Sequence, residues 1–225
     1  GGYVYRLAFA GRHLPVLGFA GNRIGRIYRR PFPDEKVINF IIGNYGNFET
    51  SFGRWRRAAS GLPEKQPEAV GTGYDSSART AAEFLAKEEV KASAHLVIGR
   101  QGELFQLVSF DTEAWHAGRS SYDGRANLNR YSIGIELDNL GRLQLQEGRF
   151  VAECGVEVAP ADVYVDDTGE AATFWHRYTD RQKRMLGEIC RLLKQHYPIR
   201  YVVGHSDITD RKQDPGPELH GFMCK

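Results

Sequence analysis

Cysteine, methionine and long apolar stretches are scarce in this chain of 225 residues. The three cysteines, Cys154, Cys190 and Cys224, are odd in number and widely spaced, so neither a disulfide framework nor a thiolate zinc cluster is indicated. No apolar run approaches the roughly 18 residues of a membrane-spanning helix, so we predict no membrane span. The residues from Gly1 onward lack the charged and then apolar layout of a secretory signal, and the sequence leaves the compartment open.

An excess of either charge is also missing. The 30 basic and 28 acidic residues give a net charge of +2, so no global field marks the chain as a nucleic-acid binder. With 41% hydrophobic residues the chain can bury a substantial core, and we predict one domain at residues 34–225 after an N-terminal extension at residues 1–33. Two stretches inside that domain, 46–74 and 141–175, show little periodicity, and we interpret them as insertions.

Apolar patterning predicts several short strands. The runs are brief, rich in β-branched residues and bounded by glycine or turn residues, as in buried strands. Gly99 and Gly102 favour a hairpin, because a tight reversal needs conformational freedom. Gly134 inside a strand indicates close approach of the backbone to a neighbouring group. The predicted strands are 37–42, 95–98, 104–108, 132–137 and 201–203.

Two helices are predicted from their starting signals. Ser76 or Ser77 can cap a helix that runs to about Val90. The segment 179–182 has the pattern of a capping box, and apolar residues then repeat at helical spacing until Pro198.

Two short blocks combine histidine, lysine and carboxylates with glycine and proline. They are residues 115–118, Trp-His-Ala-Gly, and residues 204–217, which begin Gly-His-Ser-Asp and end Pro-Gly-Pro. His205 and Asp214 lie nine residues apart, so they can converge only if the chain loops back between them. Such a grouping is typical of a metal-assisted hydrolase.

These blocks resemble the AmpD-type N-acetylmuramoyl-L-alanine amidases, which are related to phage lysozyme amidases and to animal peptidoglycan recognition proteins. Two further blocks carry the resemblance, Ser93-Ala94-His95 and the segment 129–136, Asn-Arg-Tyr-Ser-Ile-Gly-Ile-Glu. The resemblance implies an α/β fold with a mixed central β-sheet flanked by helices. It also implies a groove for the peptide stem of peptidoglycan or a muropeptide, and one catalytic Zn²⁺.

The resemblance also assigns roles to individual residues. His205 and Asp214 match zinc ligands, and an imidazole and a carboxylate are donor types that a catalytic zinc accepts. Glu136 matches the carboxylate that takes a proton from the metal-bound water. Lys212 matches a lysine that stabilises negative charge on the amide oxygen.

Three more residues match positions that line the substrate groove. They are Trp115, His116 and His95. The alternative for Trp115 and His116 is a packed tryptophan beside a satisfied histidine. For His95 the alternative, a strand histidine packed in the core, is the interpretation that its setting favours.

One departure from the family pattern concerns the third metal ligand. The pattern requires a histidine at the end of the first central strand, where this chain has Gly43. Either His95, His13 or a carboxylate such as Glu49 completes the site, or the site has decayed, or the ligand was replaced deliberately. Two functions stay open: a zinc amidase that cleaves the bond between the lactyl group of muramic acid and L-alanine, and a peptidoglycan-binding module with a degenerate metal site.

Overall fold

A computed structural model gives the fold of this chain. It describes the backbone at residues 3–9, 12–18 and 38–44, and backbone and side chains at 78, 81, 82, 85, 90, 92–108, 110 and 112–223. The predicted insertion at 46–74, Glu49 and Cys224 lie outside the described residues.

The described residues form two larger sheets and one two-stranded ribbon. The strands in chain order are β1 (Tyr3–Phe9), β2 (Arg12–Gly18), β3 (Ile38–Asn44), β4 (Leu96–Ile98), β5 (Leu104–Gln106), β6 (Ser121–Tyr122), β7 (Arg125–Ala126), β8 (Ser132–Leu137), β9 (Arg142–Gln146), β10 (Arg149–Ala152), β11 (Glu157–Val158), β12 (Val163–Asp166), β13 (Thr173–His176) and β14 (Ile199–Gly204).

The main sheet has seven strands in the order β1-β2-β5-β4-β8-β3-β14. Strands β4, β8, β3 and β14 run parallel to one another, while β5 returns antiparallel to β4. All six residues of β8 are buried, as expected for a strand with parallel neighbours and both faces covered. The predicted hairpin and the predicted strands at 132–137 and 201–203 are confirmed.

Helix α1 (Asp180–His196) covers one face of the main sheet. Its start is the predicted capping box, in which the Thr179 hydroxyl accepts from the Gln182 amide and the Gln182 side chain accepts from the Thr179 amide. Leu186, Ile189 and Leu193 bury an apolar face against strands β4 and β8. A short helix, α2 (His205–Ile208), follows β14, and no described helix is long and apolar enough to cross a membrane.

The predicted N-terminal helix is only partly within the described residues. Ala78, Ala81, Ala82 and Leu85 are helical and buried, and they pack in one cluster with Val97 and Phe105 of the main sheet. Their spacing of three and four residues places them on one helix face, as predicted.

The predicted N-terminal extension and the predicted insertion at 141–175 both contain strands. Residues 3–9 and 12–18 form an antiparallel pair, and β2 joins the main sheet beside β5. Residues 142–176 form a second sheet, which we call the small sheet, in the order β11-β10-β9-β13-β12. Its core is small and centred on Leu143, Ala152 and Val163, which explains why its apolar pattern is weak. The domain boundaries at residues 33 and 34 stay a prediction.

Asn139 and His176 join the small sheet to the end of β8. The Asn139 side chain donates to the His176 carbonyl at 2.8 Å, and the His176 Nδ1 accepts from the Leu140 amide at 3.1 Å. Burial, and then the charge of Arg100, lower the pKa of His176 to about 3. The imidazole therefore stays neutral in the folded protein at pH values where an exposed histidine is charged.

Acid is expected to destabilise the fold through this histidine. Below pH 6.5 the unfolded chain binds a proton at position 176 that the folded chain does not bind, so the free energy of unfolding falls as the pH drops towards 3. His176→Gln should reduce that slope by up to about 1.4 kcal/mol per pH unit, measured by urea unfolding at a series of pH values. His220→Gln, at an exposed histidine, is the control. An unchanged slope in His176→Gln would contradict this assignment.

Candidate functional site

Glu136 lies near the carboxyl end of β8, a strand whose six residues are all buried. It pairs in register with Gly43 of β3 on one side and with Val97 of β4 on the other. Its side chain is 3% exposed, and its Oε2 atom has no hydrogen-bond partner among the described residues. Burial raises the pKa of Glu136 to about 7, while the charges of His205 and Lys212 oppose that rise.

His205 and Asp214 form a buried pair beside Glu136. The chain loops back between them as predicted, and the Ser206 amide donates to the Asp214 carbonyl at 3.0 Å. The Nδ1 of His205 lies 2.5 Å from the Oδ2 of Asp214, and its Nε2 donates to the His116 carbonyl at 2.9 Å. Burial alone lowers the pKa of His205, but the hydrogen bond and the charge of Asp214 outweigh burial and raise it to about 9.

Lys212 lies on the loop between this pair, two residues before Asp214. Its side chain is partly buried, and its positive charge acts on Glu136. The structure therefore brings together four of the predicted site residues, Glu136, Lys212, His205 and Asp214, at one edge of the main sheet. The carboxyl ends of parallel strands meet at this edge, which is the usual place for a site in α/β folds.

Trp115 and His116 lie on a loop that covers the same edge. Trp115 is 42% exposed, so it is not the packed core tryptophan that was the alternative interpretation. The loop is held by Asn129, whose Oδ1 accepts from the His116 amide at 3.1 Å and the Ala117 amide at 2.7 Å. The His116 ring contacts the Ser132 hydroxyl at 3.2 Å, and its Nδ1 has no hydrogen-bond partner among the described residues. Burial, and then the nearby histidines, lower the pKa of His116 well below its usual value.

His95 lies in the core rather than in a groove. It is completely buried, its Nε2 is 2.9 Å from the Thr112 carbonyl, and its Nδ1 accepts from the Gly134 amide at 3.0 Å. Burial lowers the pKa of His95 to about 4. Both ring nitrogens are therefore occupied by the backbone, which opposes its predicted role in substrate binding and its use as a metal ligand. The alternative interpretation, a satisfied core histidine, is the one that this geometry supports.

The described residues do not complete a catalytic zinc site. His205 and Asp214 are suitable donors, but a catalytic zinc normally has three protein ligands and a water. The described part of the chain contains no group of three metal-binding side chains. Gly43 pairs with Glu136, and the preceding residue, Ile42, pairs with Gly204. A glycine at this position offers no side chain that could bind a metal.

The remaining candidates for a third ligand are His13 and Glu49. His13 lies on β2, five strand positions from β14 in the main sheet, which is about 24 Å at ~4.8 Å per strand. The backbone at His13 is therefore remote from β14 in the strand order, and the His13 side chain lies outside the described residues. Glu49 lies outside the described residues.

Two residues that shape the site were not assigned roles from the sequence. Asn129 holds the Trp115 loop, and Ser132 contacts the His116 ring. Both belong to the block 129–136 that carries the family resemblance. The sequence identifies this block, but it does not predict the hydrogen bonds that these two residues form. Long-range side-chain hydrogen bonds of this kind leave no periodic signal in a sequence.

Comparison with known proteins identifies the relatives of this chain. The family model described as N-acetylmuramoyl-L-alanine amidase matches residues 66–217. A 1,6-anhydro-N-acetylmuramyl-L-alanine amidase AmpD from Escherichia coli is 37% identical over 131 residues, which are 57% of this chain and 54% of that protein. The AmpD of Citrobacter freundii is 34% identical over 139 residues, 60% of this chain and 57% of that protein. The chain thus spans about half the length of these curated relatives.

Solved structures show a weaker likeness. A selenomethionine derivative of AmpD is 27% identical and covers 84% of this chain and 83% of its own, with a TM-score of 0.46. A complex of AmiD from E. coli with anhydro-N-acetylmuramic acid-L-Ala-D-γ-Glu-L-Lys is 23% identical and covers 94% of this chain and 61% of its own, with a TM-score of 0.45.

A close contact between Gly134 and His116 yields a stability prediction. A Cβ atom at position 134 would overlap with the His116 imidazole, so only glycine fits there, as the sequence indicated. Gly134→Ala should lower the free energy of unfolding by about 1–3 kcal/mol, measured by urea denaturation. Gly187→Ala is the matched control, since its Cβ would meet only Phe222 at 3.7 Å, and this variant should be neutral or stabilising. Equal stability of the two variants would refute the contact.

Proposed function

Because this chain belongs to the N-acetylmuramoyl-L-alanine amidase family, we propose that it hydrolyses the amide between the lactyl group of muramic acid and L-alanine. The proposed substrates are peptidoglycan fragments, the class named for its AmpD relatives. The observation that carries the proposal is the buried grouping of Glu136 with His205 and Asp214, with Lys212 on the adjoining loop.

Glu136 is the proposed proton carrier. A general base works best when its pKa lies near the working pH, and burial brings the pKa of this carboxyl to about 7. Its Oε2 accepts from no described group, so it can accept a proton from a water that attacks the amide carbon. The same carboxyl then donates that proton to the amine of L-alanine as the carbon–nitrogen bond breaks.

Lys212 is proposed to stabilise the negative charge that forms on the amide oxygen. A fixed cation at the site of developing charge lowers the barrier without a reorganisation at the moment of reaction. Trp115 is proposed to bind the sugar or the peptide through its exposed ring, since aromatic faces supply large contact areas at such sites.

We propose zinc dependence from the chemistry of two donors. His205 and Asp214 have the donor types that zinc accepts, but the described residues offer no third donor. The two proton transfers proposed above are carried by the Glu136 carboxyl itself.

Two observations favour a second candidate function, a peptidoglycan-binding module without turnover. Gly43 removes a donor from the position opposite Glu136, and His205 has both ring nitrogens engaged by Asp214 and the His116 carbonyl. The exposed Trp115 remains available to hold a muropeptide in that case. Binding without release of the stem peptide would identify this function.

Glu136→Gln tests the proposed amidase chemistry. The glutamine side chain cannot take up the proton from the attacking water. We therefore expect kcat/KM for release of the stem peptide from an anhydro-muropeptide to fall by a factor of about 100 or more, measured by chromatography of the products. Glu157→Gln, at an exposed carboxylate of the small sheet, is the control and should keep full activity. Retained activity in Glu136→Gln would refute the assigned role. A parent protein that binds the muropeptide but releases no peptide would support the second candidate.

Gly43→His tests whether the metal site lacks one donor. The register places position 43 directly beside Glu136 and next to the strand that leads to His205, so an imidazole there supplies a third ligand. Zinc affinity measured by calorimetry should rise by at least about tenfold, while Gly43→Ala, which adds no donor, should leave it unchanged. A parent protein that already binds one zinc as tightly as Gly43→His would show that the third donor comes from elsewhere.

A further inference from the structure

The peptide unit between His116 and Ala117 is bound on both of its sides. Its N–H, that of Ala117, donates to the Oδ1 of Asn129 at 2.7 Å. Its carbonyl, that of His116, accepts from the Nε2 of His205 at 2.9 Å. The peptide is trans, so it is planar and its N–H and C=O point in opposite directions. Asn129 and His205 therefore lie on opposite sides of one rigid unit.

The preceding peptide unit, between Trp115 and His116, is held in a similar way but without His205. Its N–H donates to the same Asn129 oxygen at 3.1 Å, and its carbonyl accepts from the Ser93 amide at 3.0 Å. The Ser93 hydroxyl also accepts from the Trp115 amide at 2.8 Å. Trp115 thus has an anchor in Ser93 that does not involve Asn129, whereas the peptide that contacts His205 is held by Asn129.

Asn129 is itself fixed by the turn that leads into β8. It belongs to a short 3-10 helix, Leu128–Tyr131, which is followed directly by the strand. The Leu128 side chain is fully buried, and the Leu128 carbonyl accepts from the Ser132 hydroxyl at 2.6 Å. Glu136 lies four residues further along the same strand. Asn129 therefore connects the strand that carries this carboxyl to an imidazole that β14 delivers.

The orientation of the His205 ring matters for the chemistry at Glu136. While Nε2 donates to the His116 carbonyl, Nδ1 faces Asp214 and the charge of the ring acts on Glu136. Hydrogen bonds in a chain polarise one another, so the bond that Asn129 accepts strengthens the one that His205 donates. Small displacements of groups in an active site lower turnover strongly, by up to about 100-fold per Å.

We propose that Asn129 is a positioning residue, which sets the orientation of the His205 imidazole through the His116–Ala117 peptide. This role goes beyond anchoring the loop of Trp115, because it reaches a side chain on a different strand. The expected effect on turnover rests on the proposed function, and the expected effect on the imidazole does not.

The Nε2 proton of His205 reports this coupling directly. A buried imidazole N–H that donates to a carbonyl is protected from exchange with water and is followed by ¹⁵N-edited NMR. His205→Gln identifies the resonance by its loss. Asn129→Leu should shift the resonance and speed its exchange by about tenfold or more, with EDTA in every sample so that bound metal does not contribute. His95, whose Nε2 donates to the Thr112 carbonyl at 2.9 Å, provides a second resonance that should persist in a folded variant.

Ser93→Ala is the matched control. It removes a side-chain hydrogen bond from the same loop but leaves the peptide that contacts His205, so the His205 resonance should stay unchanged. Asn129→Asp keeps an acceptor oxygen for both amides and should preserve the resonance. Asn129→Ser is too short to reach both amides, and it takes the place of Asn129→Leu if that variant does not fold.

Turnover of an anhydro-muropeptide gives a second measurement. Asn129→Leu should lower kcat by about tenfold and change KM by less than about twofold, because the imidazole is displaced while Trp115 keeps its Ser93 anchor. Asn129→Asp should keep kcat within about twofold of that of the parent protein.

The outcomes separate this role from the proposed function. An unchanged His205 resonance in Asn129→Leu, or an equal change in Ser93→Ala, overturns the proposal and leaves Asn129 as an anchor of the loop. A rise in KM at unchanged kcat overturns it as well. A parent protein that releases no peptide contradicts the proposed function, and the His205 resonance then decides the role of Asn129 by itself.

Discussion

The burial of a carboxyl, an imidazole and a second carboxyl within one small volume is the constraint around which this structure is organised. Glu136, His205 and Asp214 are all 3% exposed or less, and desolvation disfavours the charged form of each. The contact between His205 and Asp214 offsets that cost for two of them. The Glu136 Oε2 has no hydrogen-bond partner among the described residues, and burial outweighs the charges of His205 and Lys212, so the neutral form of its carboxyl is favoured until the pH reaches about 7.

The backbone brings these groups together from distant parts of the chain. Parallel strands β8 and β14 flank β3, and their carboxyl ends deliver Glu136 and His205 to one edge of the sheet. Asp214 reaches the same point because the loop after α2 returns and its carbonyl accepts from the Ser206 amide. The site therefore depends on strand order, which is a property of the whole sheet rather than of any one motif.

Sequence reasoning was most accurate where local signals were strong. The capping box at Thr179 and the apolar run of β8 are local, and both were predicted with their residues. The convergence of His205 and Asp214 was predictable because the Pro-Gly-Pro that follows Asp214 favours a turn of the chain at that point. The strands of the small sheet were missed because their shared core is small, so few of their positions are apolar. The contacts of Asn129 were missed for another reason, since tertiary packing between distant segments creates them.

The Trp175 indole packs directly over Gly216. Substitutions at this contact and substitutions elsewhere in the small sheet therefore have different consequences. The small sheet and the loop that carries Lys212 line one pocket, yet among the described residues the small sheet contributes no side chain to the buried pair of His205 and Asp214. The outward residues of the small sheet can therefore vary without a direct change at that pair. Substitution of Gly216 is different. A larger residue there would push the Trp175 indole away and move the loop that carries Lys212 and Asp214. We therefore expect the sequence to vary in the outward residues of the small sheet and not at the contact between Trp175 and Gly216.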